Sequence, residues 1–256
     1  MNQLTPEQQR LAKALQSFPD KITEETLDWP EGYKLYEALR NLPQEVLNVS
    51  GRFLYSDIST LKGGKYYLLG HNPAGNPAHY PVCLRDEIRQ WFARNDNAYD
   101  ERWESNPKGQ APLQDHVKVL LSAIGANLND VCASNIFFVR SQKAKDLVIY
   151  NDFSVHKAVL DIVKPDCIIA FHNTGGSSTY NLLLHEYMTK LKQVGQPIFI
   201  GKDGSFDQHL TIAEGQYWNK TLKVIGLPHL SYFDPSKYQD VLQKIAEECR
   251  NATAKP

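Results

Sequence analysis

Two short stretches of this 256-residue chain set an amide or imidazole side chain on a turn that closes an apolar run: Gly70-His-Asn-Pro-Ala-Gly75 and Pro228-His-Leu-Ser231. An asparagine there can hold water or a ligand through its carbonyl oxygen and amide, and a histidine can donate, accept or carry a proton near neutral pH. A third junction, His172-Asn-Thr-Gly-Gly-Ser-Ser178, repeats the pattern, and Asn135 stands inside an otherwise apolar run. Each group also has a structural reading. Asn72 can simply form the turn, His229 can cap, and Asn135 can be a satisfied buried amide. The amides opening the helix after Gly175, Gly176 and Ser177 can hold a phosphate or merely be capped.

The elements that would position these groups are legible in the hydrophobic pattern. Residues 66–69, 130–141, 166–171 and 223–227 read as four buried strands, three of them running into polar turns and the second itself carrying Ser134 and Asn135. In an open α/β sheet, the crevice beyond the carboxyl ends of the strands is where ligands bind, so His71 and Asn72 project into it. Helices are expected over 32–42, 84–94, 113–124, 155–163, 179–191 and 236–252, with a further helix opened by Thr5-Pro6. Residues 198–200 and 209–213 read as an added hairpin. The alternation of strand and helix predicts a three-layer α/β/α fold around a central, mainly parallel four-stranded sheet. It is read as one domain over 1–256, with a helical cover over 1–60 and a core over 61–256. Tyr80, Trp91, Phe92, Tyr99 and Trp103 mark an aromatic insertion over 78–112, whose rings either pin a long loop or face a substrate.

Composition bounds the reading. With 42% hydrophobic residues the chain can bury a large core, and no apolar run approaches the length of a membrane span. The first residues lack the basic start and apolar centre of a signal peptide, so a cytoplasmic protein is expected. Cys83, Cys132, Cys167 and Cys249 have no metal-binding or redox spacing, and neither metal nor cofactor is expected. A net charge of -1 argues against coating nucleic acid by bulk charge but leaves room for a small basic face at Lys62, Lys65, Arg140, Lys143, Lys145 and Lys237.

Taken together, Gly70-His-Asn-Pro, Asn135 with the following Phe-Phe-Val-Arg140, and His229-Leu-Ser231, in this order at strand ends, resemble the motifs of the uracil-DNA glycosylase superfamily. The resemblance spans roughly residues 65–235. It implies that Asn72 holds the water, that a neutral His229 donates a hydrogen bond to the leaving base, and that Asn135 reads the base's pairing edge. His71, Ala74, Phe138, His172 and Asn173 would complete the base site. Ser231, Tyr232, Phe233, Ser177, Arg140 and Lys143 would meet DNA, bound by a monomer.

The departures matter as much. Asn72 stands where the most efficient uracil enzymes carry Asp, and a neutral amide is a poorer base for water. Ala74 stands where those enzymes place a Tyr against the pyrimidine C5 substituent, so a bulkier base is admitted. Leu230 replaces the family's Pro, and Phe233 falls where a Leu wedge enters the DNA stack. The implied activity is monofunctional excision of uracil or a C5-modified pyrimidine, including the hypermodified bases of phage DNA, which would make it an antiviral defence. A non-catalytic DNA-binding member of the fold, or a hydrolase of free nucleosides or nucleotides, remains an alternative.

Overall fold

The computed structural model describes residues 4–91, 97–142, 153–203, 206–217 and 219–253. In chain order they form helices α1 (Pro6–Gln16), α2 (Glu24–Leu27), α3 (Pro30–Arg40) and α4 (Gln44–Leu47), then strand β1 (Tyr66–Gly70) and helices α5 (Leu84–Trp91) and α6 (Pro112–Ala123). Strand β2 (Cys132–Asn135), helix α7 (Ser154–Val163), strand β3 (Cys167–Phe171) and helix α8 (Thr179–Tyr187) follow. The chain continues with β4 (Thr189–Gln193), β5 (Ile198–Asp203), β6 (Phe206–Tyr217), β7 (Lys220–Leu227) and α9 (Gln239–Thr253). It divides into two compact units: Met1–Gly63, Asn72–Asp96 and Cys132–Lys164 make the first, and Gly64–His71, Asn97–Val131 and Pro165–Pro256 the second.

The first unit is mostly helical. Thr5 caps α1 by accepting from the Gln8 amide while the Gln8 side chain returns to the Thr5 N–H, so both ends of the box are satisfied. Gln8 also donates to the Ser59 and Leu61 carbonyls, at 3.2 and 3.0 Å, which ties the helix to the turn at 58–60. Strand β2, Cys132–Asn135, is shorter than the strand expected over 130–141. From Ile136 onward the chain pairs through a single bridge, Gly51 with Val139, through the Arg52 amide on the Phe138 carbonyl and through the Arg140 amide on the Ser50 carbonyl. Trp91 is buried with its indole N–H on the Ser56 carbonyl (3.0 Å), and its ring meets Phe53 edge-on at 5.1 Å. This aromatic therefore pins its segment; Phe92 lies outside the described residues.

The second unit holds the sheet. Strands β1, β3 and β7 run parallel, with Leu68 opposite Ile169 and Ile169 opposite Ile225. β6 joins β7 antiparallel, and β4 and β5 pair along β6. The faces of β7 alternate, as a pleated strand requires. At Gly226 a Cβ would lie 2.5 Å from the Tyr180 ring of α8, whereas Lys223, three residues earlier, turns to Glu248 of α9. One helix on each face gives the three layers expected for this α/β fold. Tyr99 is buried beside Trp103, so it too anchors its segment.

The antiparallel arm is larger than the short hairpin expected. Residues 188–191 were expected to continue the helix from 179, but α8 stops at Tyr187 and 189–193 form strand β4. Pairing with β6 decides this against the local helical pattern, and all five β4 residues are exposed.

Candidate functional site

Three histidines collect at the carboxyl ends of the parallel strands of the second unit. His71 follows β1, His172 follows β3 and His229 follows β7, and these strands are ladder neighbours, which brings the residues leaving them side by side. The His71 and His172 rings lie 4.2 Å apart between centroids, and those of His172 and His229 6.4 Å apart. His172 sits in the left-handed backbone region at φ +89, which is rare without glycine. Its amide donates to the Leu227 carbonyl (2.9 Å), and its carbonyl accepts from the Tyr180 amide (3.4 Å), so the strands and α8 hold it in that conformation.

All three rings are neutral at pH 7. Burial, then the neighbouring His172 and His229 rings, push the His71 imidazole down to about 3. Burial and His172 push His229 down to about 4, and burial lowers His172. Nδ1 of His229 accepts the Ser231 backbone N–H at 3.2 Å, so its one proton is on Nε2, which is left as a donor. The His71 Nδ1 lies 3.3 Å from the Thr179 hydroxyl, which itself donates to the Gly70 carbonyl (3.2 Å). With that hydroxyl proton committed, His71 carries its proton on Nδ1.

The loop after β7 is a tight turn. The amides of Tyr232 and Phe233 both donate to the His229 carbonyl, at 2.9 and 3.1 Å. Phe233, expected as an exposed wedge, is 1% exposed and packs on Tyr238; the turn directs it inward, and Tyr232, 76% exposed, is the aromatic presented to solvent. Ser231 is exposed. Asn173 spends its amide nitrogen on the His209 and Gly226 carbonyls (2.7 and 3.0 Å) and on the Thr211 hydroxyl (3.2 Å), closing the ends of β6 and β7. At the start of α8 the cap is Ser178, which accepts from the Asn181 amide, while Ser177 is exposed.

Asn72 belongs to the first unit. Its Nδ2 donates to the Pro73 and Ser141 carbonyls, at 3.0 and 3.1 Å. Two acceptors on the nitrogen fix which way the amide faces and leave Oδ1 as the acceptor it presents. The same loop is fastened by the Ser141 amide on the Pro73 carbonyl (3.1 Å) and by Arg140, which donates to the Ala74 carbonyl and lies 4.0 Å over the Tyr80 ring. Burial lowers the Arg140 pKa. Gly75, at φ +101, has no room for a Cβ, which would lie 2.8 Å from Tyr80. Ala74 is exposed. Asn135, at the end of β2, is 4% exposed, and its Nδ2 has no hydrogen-bond partner among the described residues. Phe138 lies in the core of this unit between Phe53 and His156, at 5.6 and 4.9 Å. Lys143 and Lys145 lie outside the described residues.

The structure thus brings His71, His172 and His229 together in one unit, and Asn72, Ala74 and Arg140 in the other. Sequence reasoning missed His116 on α6, whose Nδ1 bonds the Leu230 carbonyl beside His229; a lone histidine on an amphipathic helix carries no motif. Among the described residues no group of three His, Cys, Asp or Glu is placed to hold a metal ion, and no helix is long and apolar enough to cross a membrane. Compared with known proteins, the chain matches no family model and no curated sequence.

Proposed function

We propose that the protein is a monofunctional DNA glycosylase that hydrolyses the N-glycosidic bond of a flipped-out pyrimidine, with the resemblance to the uracil-DNA glycosylase superfamily supplying the reaction and the side chains supplying its chemistry. The observation that carries the reading is the fixed polarity of two side chains. Asn72 presents a carbonyl oxygen because its nitrogen is spent on two carbonyls, and His229 presents an N–H because its other nitrogen accepts the Ser231 amide.

Excision needs these polarities. Water adds to the sugar C1′ as the bond from C1′ to the base nitrogen breaks, and the electron pair of that bond departs with the base and is shared by its carbonyl oxygen. Asn72 Oδ1 accepts a hydrogen bond from the water and orients it; as a neutral amide it does not take the proton, which passes to solvent as the bond from the water oxygen to C1′ forms while the released base anion takes one up from solvent, so positioning must supply most of its effect. His229 Nε2–H donates to the base oxygen as negative charge develops there. A ring held near pKa 4 stays neutral and makes that bond at no cost in charge burial. Asn135 offers an unpaired buried Nδ2 to the base edge, and leaving such a donor unsatisfied costs about 1–3 kcal/mol. Ala74 is exposed and carries only a methyl, in keeping with a base bearing a C5 substituent. Tyr232 is the side chain of the His229 loop free to stack in DNA.

The reading is tested on duplexes carrying uracil, a thymine mismatch, 5-hydroxymethylcytosine or its glucosylated form, scored by alkaline strand cleavage at abasic sites. The protein is expected to leave alkali-labile abasic sites in one of these. Asn72→Ala and His229→Ala should each lose about a hundredfold or more. Cleavage untouched by both substitutions contradicts the reading. Salt-sensitive binding without cleavage favours a non-catalytic DNA-binding protein, and neither binding nor cleavage favours a hydrolase of small nucleosides.

A further inference from the structure

One side chain from outside the loop grips the turn that carries His229. His116, on α6, bonds the Leu230 carbonyl through Nδ1; a carbonyl only accepts, so this nitrogen bears the proton. Its Nε2 lies 3.6 Å from the Asp234 carboxylate, which also accepts the Ser236 amide and hydroxyl, at 3.0 and 2.6 Å, and faces Lys237 at 3.4 Å. The ring therefore touches both ends of the turn, and Leu230 itself is buried.

The Leu230 carbonyl and the Ser231 N–H are opposite ends of one planar peptide unit. His116 holds the oxygen end, and the hydrogen end donates to His229 Nδ1 at 3.2 Å. Fixing the oxygen fixes the plane, and the plane decides whether the N–H reaches the imidazole. Hydrogen bonds at both ends of a peptide also polarise it in the same sense, which strengthens the second bond. We propose that His116 is a positioning residue that sets the tautomer and orientation of His229 through the peptide linking Leu230 and Ser231. Asn at 116 keeps an N–H able to reach the Leu230 carbonyl, whereas Ala and Leu keep none.

The test is long-range nitrogen–proton NMR of the imidazoles in the full chain, comparing the unmodified protein with His116→Ala, His116→Leu and His116→Asn. Two loss variants of different size guard against a folding failure of either one. The unmodified protein is expected to show His229 wholly as the Nε2–H tautomer; the two loss variants should show a mixture, and His116→Asn should restore the single form. An unchanged single tautomer in either folded loss variant overturns the proposal, as does a mixture in His116→Asn. The kinetic consequence rests on the glycosylase reading: kcat for base release should fall about tenfold in the loss variants and recover with Asn, with KM moving less than about twofold. If the unmodified protein releases no base while the NMR contrast holds, the glycosylase reading fails and the role of His116 stands.

Discussion

Lowering the pH from 7 to 5 should weaken the fold through histidines that are buried neutral. His156 is 2% exposed, with Nε2 3.0 Å from the Ile136 carbonyl, and burial holds it at about 4 against an ordinary 6.5. His71 is 5% exposed and held at about 3. For a base with a depressed folded pKa, the unfolded chain binds a proton that the folded chain refuses, so stability falls as pH drops below 6.5 and levels off only at the folded value. Between pH 7 and 5 each of the two contributes a loss of about 2 kcal/mol, about 4 kcal/mol together, with His172 and His229 adding in the same sense. Carboxylates do not mask this. Hydrogen bonds from Ser236 hold Asp234 below its usual 3.8; Glu248, which burial pushes up, is pulled below its usual 4.5 by Lys223 and Lys244. Their contribution is present above those unfolded values and is lost only as pH falls through the lower folded ones, below the window tested. Urea midpoints followed by tryptophan fluorescence at pH 7, 6 and 5 measure the slope. His156→Gln, which keeps a donor for the Ile136 carbonyl but cannot titrate, should remove about 2 kcal/mol of the pH-dependent loss. Equal stability at pH 7 and 5, or a slope unaltered by His156→Gln, would refute the reasoning.

The loop after β7 separates stability from binding. Phe233→Ala should cost about 3–5 kcal/mol because the ring is buried, whereas Tyr232→Ala should stay within about 0.5 kcal/mol in urea denaturation and weaken oligonucleotide binding by about 1–3 kcal/mol in fluorescence anisotropy. Asn173→Ala should cost about 1–3 kcal/mol by taking the side-chain donor from the His209 carbonyl, while the Gly226 carbonyl keeps the Thr211 hydroxyl, with faster amide exchange at 209–211 as the local signature.

The parallel strands were readable because apolar runs such as Cys167–Phe171 stop abruptly at polar turns, and the caps were readable because Thr5-Pro6 and the Gln8 side chain act within one turn. What lay beyond the sequence was set by distant partners. The segment after Tyr187 has no Gly or Pro to end a helix, and only its pairing with β6 makes it a strand. Tyr232 and Phe233 are adjacent aromatics, and the turn after His229 buries Phe233 while it leaves Tyr232 exposed. The approach of His71 to His172 depends on β1 and β3 being neighbours, a fact of topology that no spacing in the sequence carries. Asn173 looked equivalent to Asn72, yet its amide nitrogen closes strand ends, whereas that of Asn72 closes its own loop and leaves the carbonyl oxygen presented.

The most direct test of the proposed activity is mass spectrometry of the free bases released from the same panel of DNAs by the protein and by Asn72→Ala. The account predicts that one pyrimidine, uracil or a C5-substituted base, is released by the unmodified protein and falls about a hundredfold or more in the variant. Release of no base from any of these DNAs, or equal release by both proteins, would contradict it.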